Sequence, residues 1–306
     1  MDSGELTFPL VPRWRPVGSA FGRLRAARRG IGSSVASTRP YRAGDDPGLI
    51  DWKLSARISS IRGDAEFIVR EDFADEAPRA IVVADHAPSM SLYPDDLPWL
   101  SKPDALRSVW RAVASASVQE LGLAGHLDTA TGESWLPPRS AIGFDAVRAR
   151  QEAAPFDGGP AGVEDALEQL VRNRRSLPPG TFVFVCSDFL APPRPEVWLR
   201  ALALRWDVVP VVVQDPVWEQ SFPLVDRLVV PFADPATGRV LRARISAKEA
   251  ARRRSEHEER LSSLLTEFLS LGLDYVVVDD AAPSSVHGAF FDWAEARIAY
   301  RRGEWR

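Results

Sequence analysis

Beyond residue 78 the chain alternates short, unbroken apolar runs with stretches whose apolar residues recur three and four positions apart. That pattern predicts buried strands separated by amphipathic helices. Residues 80–84 form one such run and lead into Asp85; residues 182–186 form another and lead into Ser187-Asp188. Residues 208–213 and 275–278 add two more, and Pro210 inside the former predicts an edge position or a bulge. Runs without alternation suit strands covered on both faces. Between them, Leu106, Trp110, Val113 and Ser117 share one helical face opened by Ser101 and Pro103, and Val163, Ala166, Leu167 and Leu170 share another over 162–174. Helices are further predicted over 142–152 and 197–204, and from Ser285 with Phe290, Phe291, Ala294 and Ile298 turned inward. Repeated βα units at this spacing predict an α/β fold with a doubly wound, mostly parallel sheet.

Three segments depart from the alternation. Residues 125–129 and 134–136 predict a strand pair that Pro137-Pro138 ends, and a small hairpin is expected near 225–245 around Asp234-Pro235. Ser246 with Glu249 forms a capping box, so a long helix is expected near 247–271, stopped by Gly272. Its first half is mostly charged and is expected to face solvent or a partner.

The start of the chain is different in kind. Residues 1–43 hold eight arginines against Asp2 and Glu5, and Gly30-Ile31-Gly32-Ser33-Ser34 predicts a loop, so little helix or strand is expected before residue 38. The expected organisation is a basic arm and motif segment over 1–78, a domain over 79–300 and a tail at 301–306. The 306 residues are 45% hydrophobic and 26% charged, with a formal net charge of −4, which excludes collagen-like, disordered and disulfide-stapled classes. The average field recruits neither nucleic acid nor anionic membrane. Nucleic-acid docking by the arm's arginines is the weaker alternative to an arm folded over its own acidic body. Cys186 alone allows no intrachain disulfide and fits a reducing, cytoplasmic setting. No apolar run approaches the roughly 20 residues that cross a bilayer, and the start lacks a secretory pattern, so no membrane insertion is expected.

Candidate chemistry lies where strands end. Asp85 and Asp188 close two buried runs, and the loop after Asp85 carries Ser89 and Ser91. Carboxylates and hydroxyls there could hold Mg²⁺, or the aspartates could cap their own turns. The four histidines, His86, His126, His257 and His287, lack ligand spacing and are expected at surfaces or turns. Neither a phosphate-binding Gly-x-x-x-x-Gly-Lys-Ser/Thr loop nor a Gly-x-Ser-x-Gly elbow occurs.

The densest motif is earlier: Tyr41, Gly44-Asp45-Asp46, Ile50-Asp51-Trp52-Lys53, Ser55-Ala56-Arg57 and then Val69-Arg70-Glu71. Ile50 and Trp52 are expected to be buried, with Asp51 or Asp45 paired to Arg57 or Arg70. Together with the Asp85 and Ser187-Asp188-Phe189 loops, and with Asp215-Pro216, this motif resembles the bacterial domain-of-unknown-function family fifty-eight over about residues 20–300. The resemblance implies a von Willebrand factor A-like domain, a MoxR-type AAA+ ATPase as partner, and an unknown client protein in assembly, maturation or chaperone-like tasks. It also implies a metal-ion-dependent adhesion site, an Asp-x-Ser-x-Ser loop completed by a threonine and a further aspartate. Asp85, Ser89 and Asp188 match that set, whereas Ala87 and Ala161 stand where hydroxyls are expected, so the site is degenerate and Mg²⁺ is its implied ion. The expected function is therefore a non-catalytic protein-binding module. The alternative is a metal-dependent phosphoesterase or nuclease using the strand-end aspartates, with Asp157, Glu164 or Asp165 in support.

Overall fold

The computed structural model describes residues 7–14, 21–62, 66–92, 99–132, 134–140, 144–235 and 237–302. In chain order the first elements are β1 (Phe21–Pro40), α1 (Trp52–Arg62), β2 (Ile68–Glu76), β3 (Arg79–Ala84), α2 (Lys102–Gln119), β4 (Leu123–Asp128), β5 (Trp135–Arg139) and α3 (Phe144–Ala153). They are followed by α4 (Gly162–Arg172), β6 (Phe182–Ser187), α5 (Pro195–Ala203), β7 (Asp207–Val213), β8 (Leu228–Ala233), β9 (Val240–Ile245), α6 (Ala247–Ser270), β10 (Val276–Val278) and α7 (Pro283–Arg302).

The apolar runs assemble into one six-stranded sheet of order β10-β7-β6-β3-β4-β5. Every neighbouring pair is parallel except β4 with β5. This is the doubly wound, mostly parallel sheet that the sequence pattern predicts. Alternate residues of the central strands serve two cores, which is why their sequences show no polar face. Val82, Ala84, Phe184 and Cys186 pack with Val109, Trp110, Phe290 and Trp293 of α2 and α7. Ile81, Val83, Val183 and Val185 pack with Leu167, Trp198, Leu264 and Phe268 of α4, α5 and α6.

Two prolines sit differently from expectation. Pro210 lies in an inner strand, because β10 flanks β7; pairing with β10 begins only at Val211, so the missing N–H of Pro210 costs no ladder bond on that side. Pro137-Pro138 does not end a strand but lies inside β5, which is tolerated because β5 is the sheet's edge.

The chain's start also differs from expectation. Residues 21–40 are not a loop but strand β1, antiparallel to β2. The glycine tract is absorbed as an irregularity, since Arg29 and Ser34 both face Phe73. Such pairing depends on a partner 28 to 55 residues away, which local pattern does not encode. Before β1, Phe8, Leu10 and Val11 are buried, and Phe8 stacks on Phe290 with ring centroids 4.8 Å apart. The start of the arm is thus part of the main core. Most of the arm's arginine side chains, and the tail at 303–306, lie outside the described residues.

The β8/β9 hairpin and the capped helix form as expected, with the Ser246 hydroxyl accepting from the Glu249 amide at 3.2 Å. The charged half of α6 is laced by intrahelical pairs such as Arg253–Glu249 and Arg254–Glu258. It also covers the loop after β7, where Arg260 donates to the Glu219 carbonyl at 2.7 Å. On α7, Phe290 is buried but Phe291 is 42% exposed.

Candidate functional site

Strands β3 and β6 are neighbours at the point where strand order reverses, the usual ligand edge of an open α/β sheet. Their register sets Ala84 beside Cys186, so the turns carrying Asp85 and Asp188 emerge together. The Asp85 amide donates to the Cys186 carbonyl at 2.8 Å. Across 102 residues of sequence, the Ser187 hydroxyl donates to Asp85 Oδ2 at 2.7 Å. Asp85 Oδ1 accepts from the Thr129 hydroxyl at 3.1 Å and from the Ala87 amide at 2.9 Å. Burial raises the Asp85 carboxyl above its usual range; the bonds from Ser187 and Ala87 oppose this, and the nearby Asp188 charge adds to it.

The Asp188 turn is organised by a residue that belongs to none of the sequence motifs. Lys102, the first residue of α2, is fully buried. Its ammonium lies 2.9 Å from Asp188 Oδ2, 2.5 Å from Glu219 Oε1 and 3.2 Å from the Ser89 carbonyl. The other Asp188 oxygen accepts from the Leu190 amide at 3.1 Å. Glu219 Oε2 in turn accepts from the Asp215 amide at 2.9 Å, and Asp215 holds the amides of Leu100, Val217 and Trp218. Burial pushes the Glu219 carboxyl up, against the charge of Lys102. Beside this network an open cleft of about 420 Å³ is lined by Asp104, Asp215, Asp279 and Asp280, with Trp99 at its wall.

A threonine does meet Asp85, but it is Thr129 at the end of β4. Ala161, where the resemblance expects one, is exposed before α4. The loop ahead of α4 closes on Thr129 so tightly that a Cβ on Gly158 would lie 2.7 Å from its hydroxyl, which requires glycine there. Ser89 contributes its carbonyl to Lys102. The turn-capping role anticipated for the two aspartates is present in the bonds to Ala87 and Leu190.

These residues do not fit a resident divalent ion. Mg²⁺ needs near-octahedral oxygen ligands, and here an ammonium already takes the Asp188 oxygen. Among the described residues no three His, Cys, Asp or Glu side chains gather as a metal cluster. Asp157 accepts from Thr131, Glu164 pairs with Arg194 at 3.0 Å, and Asp165 is exposed.

Two histidines are not at the surface. His86 stacks on Phe156 with centroids 4.6 Å apart, and His126 is wholly enclosed on β4. Burial lowers both, His126 to about 4, against the pull of Asp128. Their neutral rings behave as core, which their isolated positions in the sequence do not reveal.

The early motif is built against β2, with the Tyr41 amide donating to the Phe67 carbonyl and the Asp51 amide to the Ile68 carbonyl, each at 2.8 Å. Asp45 grips Arg39 through two bonds of 2.6 and 2.7 Å and accepts the Arg42 amide, which brings its carboxyl down to about 2. Gly44 sits at φ 102°, a conformation that disfavours side chains. Asp46 caps the Gly48 amide, Asp51 caps α1 through the Leu54 amide, and the Tyr41 hydroxyl reaches the Asp45 carbonyl at 3.3 Å. Buried Ser55 bridges the Asp51 carbonyl and the Ile68 amide at 2.7 and 2.8 Å. Trp52 is not buried: it is 62% exposed and meets only the edge of Phe67 among the described ring contacts. The expected pairing of Asp45 or Asp51 with Arg57 or Arg70 is replaced by Asp45 with Arg39, since β1 brings Arg39 to the turn. Lys53 and Arg57 are exposed, and Arg70 Nε is buried without a hydrogen-bond partner among the described residues.

A family model described as "Protein of unknown function DUF58" matches residues 37–263. No curated protein matches the chain. Solved structures similar to it include a conserved hypothetical protein, BatB, from Bacteroides thetaiotaomicron, at 16% identity and TM-score 0.42, covering 71% of this chain and 99% of that one. An aerotolerance-related membrane protein from Bacteroides fragilis is 15% identical with TM-score 0.42, covering 70% and 96%. The PilB minor pilin from Streptococcus sanguinis is 12% identical with TM-score 0.36, covering 77% and 65%.

Proposed function

The chain belongs to the DUF58 family, and from that premise we propose that it is a non-catalytic binding module working with a MoxR-type AAA+ ATPase on a client protein. The observation that carries this reading is the fusion of the Asp85 and Asp188 turns into one fixed patch at the strand edge. Here Ser187, Thr129 and Ala87 engage Asp85, while Lys102 and Leu190 engage Asp188. Such a patch holds two carboxylates in fixed positions and offers a partner a set shape and charge. The neighbouring acidic cleft favours a partner surface that presents basic side chains. No described helix is long and apolar enough to cross a membrane, and a cytoplasmic setting is part of the proposal.

The test is co-purification of the full chain with a MoxR-type AAA+ ATPase from the same organism, in ATP, in ADP and without nucleotide. Association that depends on nucleotide and is lost in Leu190→Glu, an exposed position on the Asp188 turn, is the expected result. Association insensitive to both would sink the proposal.

A further inference from the structure

We propose that Lys102 is a tethered replacement for a divalent cation, so that the Asp85–Asp188 edge is complete without metal. An ammonium offers three N–H donors, and three oxygens from three separate segments surround this one: the Ser89 carbonyl, Asp188 and Glu219. Two of those segments are the ones that the family resemblance assigns to a metal. The third, Glu219, adds a second buried carboxylate, and two such groups require positive charge between them.

The hydroxyls around Asp85 are oriented for the same outcome. Thr129 donates to Asp85 and accepts the His86 amide at 2.8 Å. Ser187 donates to Asp85 and accepts the Phe189 amide at 3.0 Å. Both oxygens are held by the backbone rather than turned toward an ion. A divalent ion arriving at Asp188 would meet a buried like charge in a poorly screened interior. An ion would have to displace Lys102, which covalent attachment at the start of α2 keeps in place. Ala87, lacking a hydroxyl on the Asp85 loop, fits a site that needs no further oxygen donor.

The inference stands apart from the choice of partner. It is tested on the full chain by Mn²⁺ calorimetry and by melting curves in millimolar Mg²⁺ or EDTA. The wild type is expected to give no binding heat and unchanged melting, whereas Lys102→Ala is expected to gain a metal-dependent rise in melting temperature that Asp188→Asn removes. A second measurement needs no variant: native amine acylation with mass spectrometry should modify exposed Lys53 and Lys248 and leave Lys102 untouched. One-to-one Mn²⁺ binding by the wild type, or acylation of Lys102 alongside the other two, would overturn the proposal. So would a folded Lys102→Ala chain whose melting ignores metal.

Discussion

Arg297 on α7 clasps Asp207 at the start of β7 through two parallel hydrogen bonds, Nη1 to Oδ2 at 3.0 Å and Nη2 to Oδ1 at 2.7 Å. The same guanidinium bonds Asp274 and the Val11 carbonyl, and the Arg13 amide reaches Asp207 at 2.6 Å. One buried arginine therefore ties four chain segments together at the amino edge of the sheet, as one buried lysine does at the carboxyl edge.

Removing Arg297 takes the paired guanidinium from Asp207, which is fully buried, and leaves Asp274 to Arg13. Arg297→Ala is expected to lower unfolding free energy by about 3–5 kcal/mol, the usual cost of breaking a buried ion pair from one side. Urea unfolding measures it, and a loss comparable to that of a surface arginine would contradict the role assigned here.

Acid should act on the same cluster. Burial on its own would raise the Asp274 carboxyl, but the hydrogen bonds and charge of Arg297, with Arg13, hold it below its ordinary value of 3.8. A depressed carboxyl contributes stability that is complete above that ordinary value and disappears as pH falls through the folded value. Asp274→Asn is thus expected to be less stable than wild type at neutral pH and to lose less on acidification. Urea midpoints across a pH series decide; parallel curves would show that Asp274 is not the acid-sensitive group.

At the carboxyl edge, Ser187 both donates to Asp85 and accepts the Phe189 amide. Ser187→Ala leaves a buried carboxylate oxygen and a buried amide without those partners, so a loss of about 1–3 kcal/mol is expected. Ser91→Ala, at an exposed hydroxyl, serves as the control and should be close to neutral.

Exposure separates the two apolar anchors of the early motif. Trp52→Ala, at a side chain 62% exposed, is expected to cost less than about 1 kcal/mol. Ile50→Ala, at a side chain only 9% exposed, is expected to cost about 2–5 kcal/mol. If Trp52→Ala melts as wild type yet fails to bind the ATPase, the ring belongs to the docking surface.

The alternation of apolar runs and helical faces was enough to specify a doubly wound sheet, because strands buried on both faces leave an unmistakable local record in β3, β6 and β7. The same record identified Asp85 and Asp188, since a polar residue ending such a run must lie at the sheet's edge. It could not show that β1 pairs with β2, that Arg39 rather than Arg57 meets Asp45, or that Trp52 faces outward, because each depends on contacts between distant segments. Lys102 is the clearest case: rare lysine in an arginine-rich chain is a faint signal, and its meaning appears only once α2 starts beside the ends of β6 and β7. Local sequence sets which residues are apolar and which carry charge; only the folded chain decides which charge is shut away from water, and there each must find its partner.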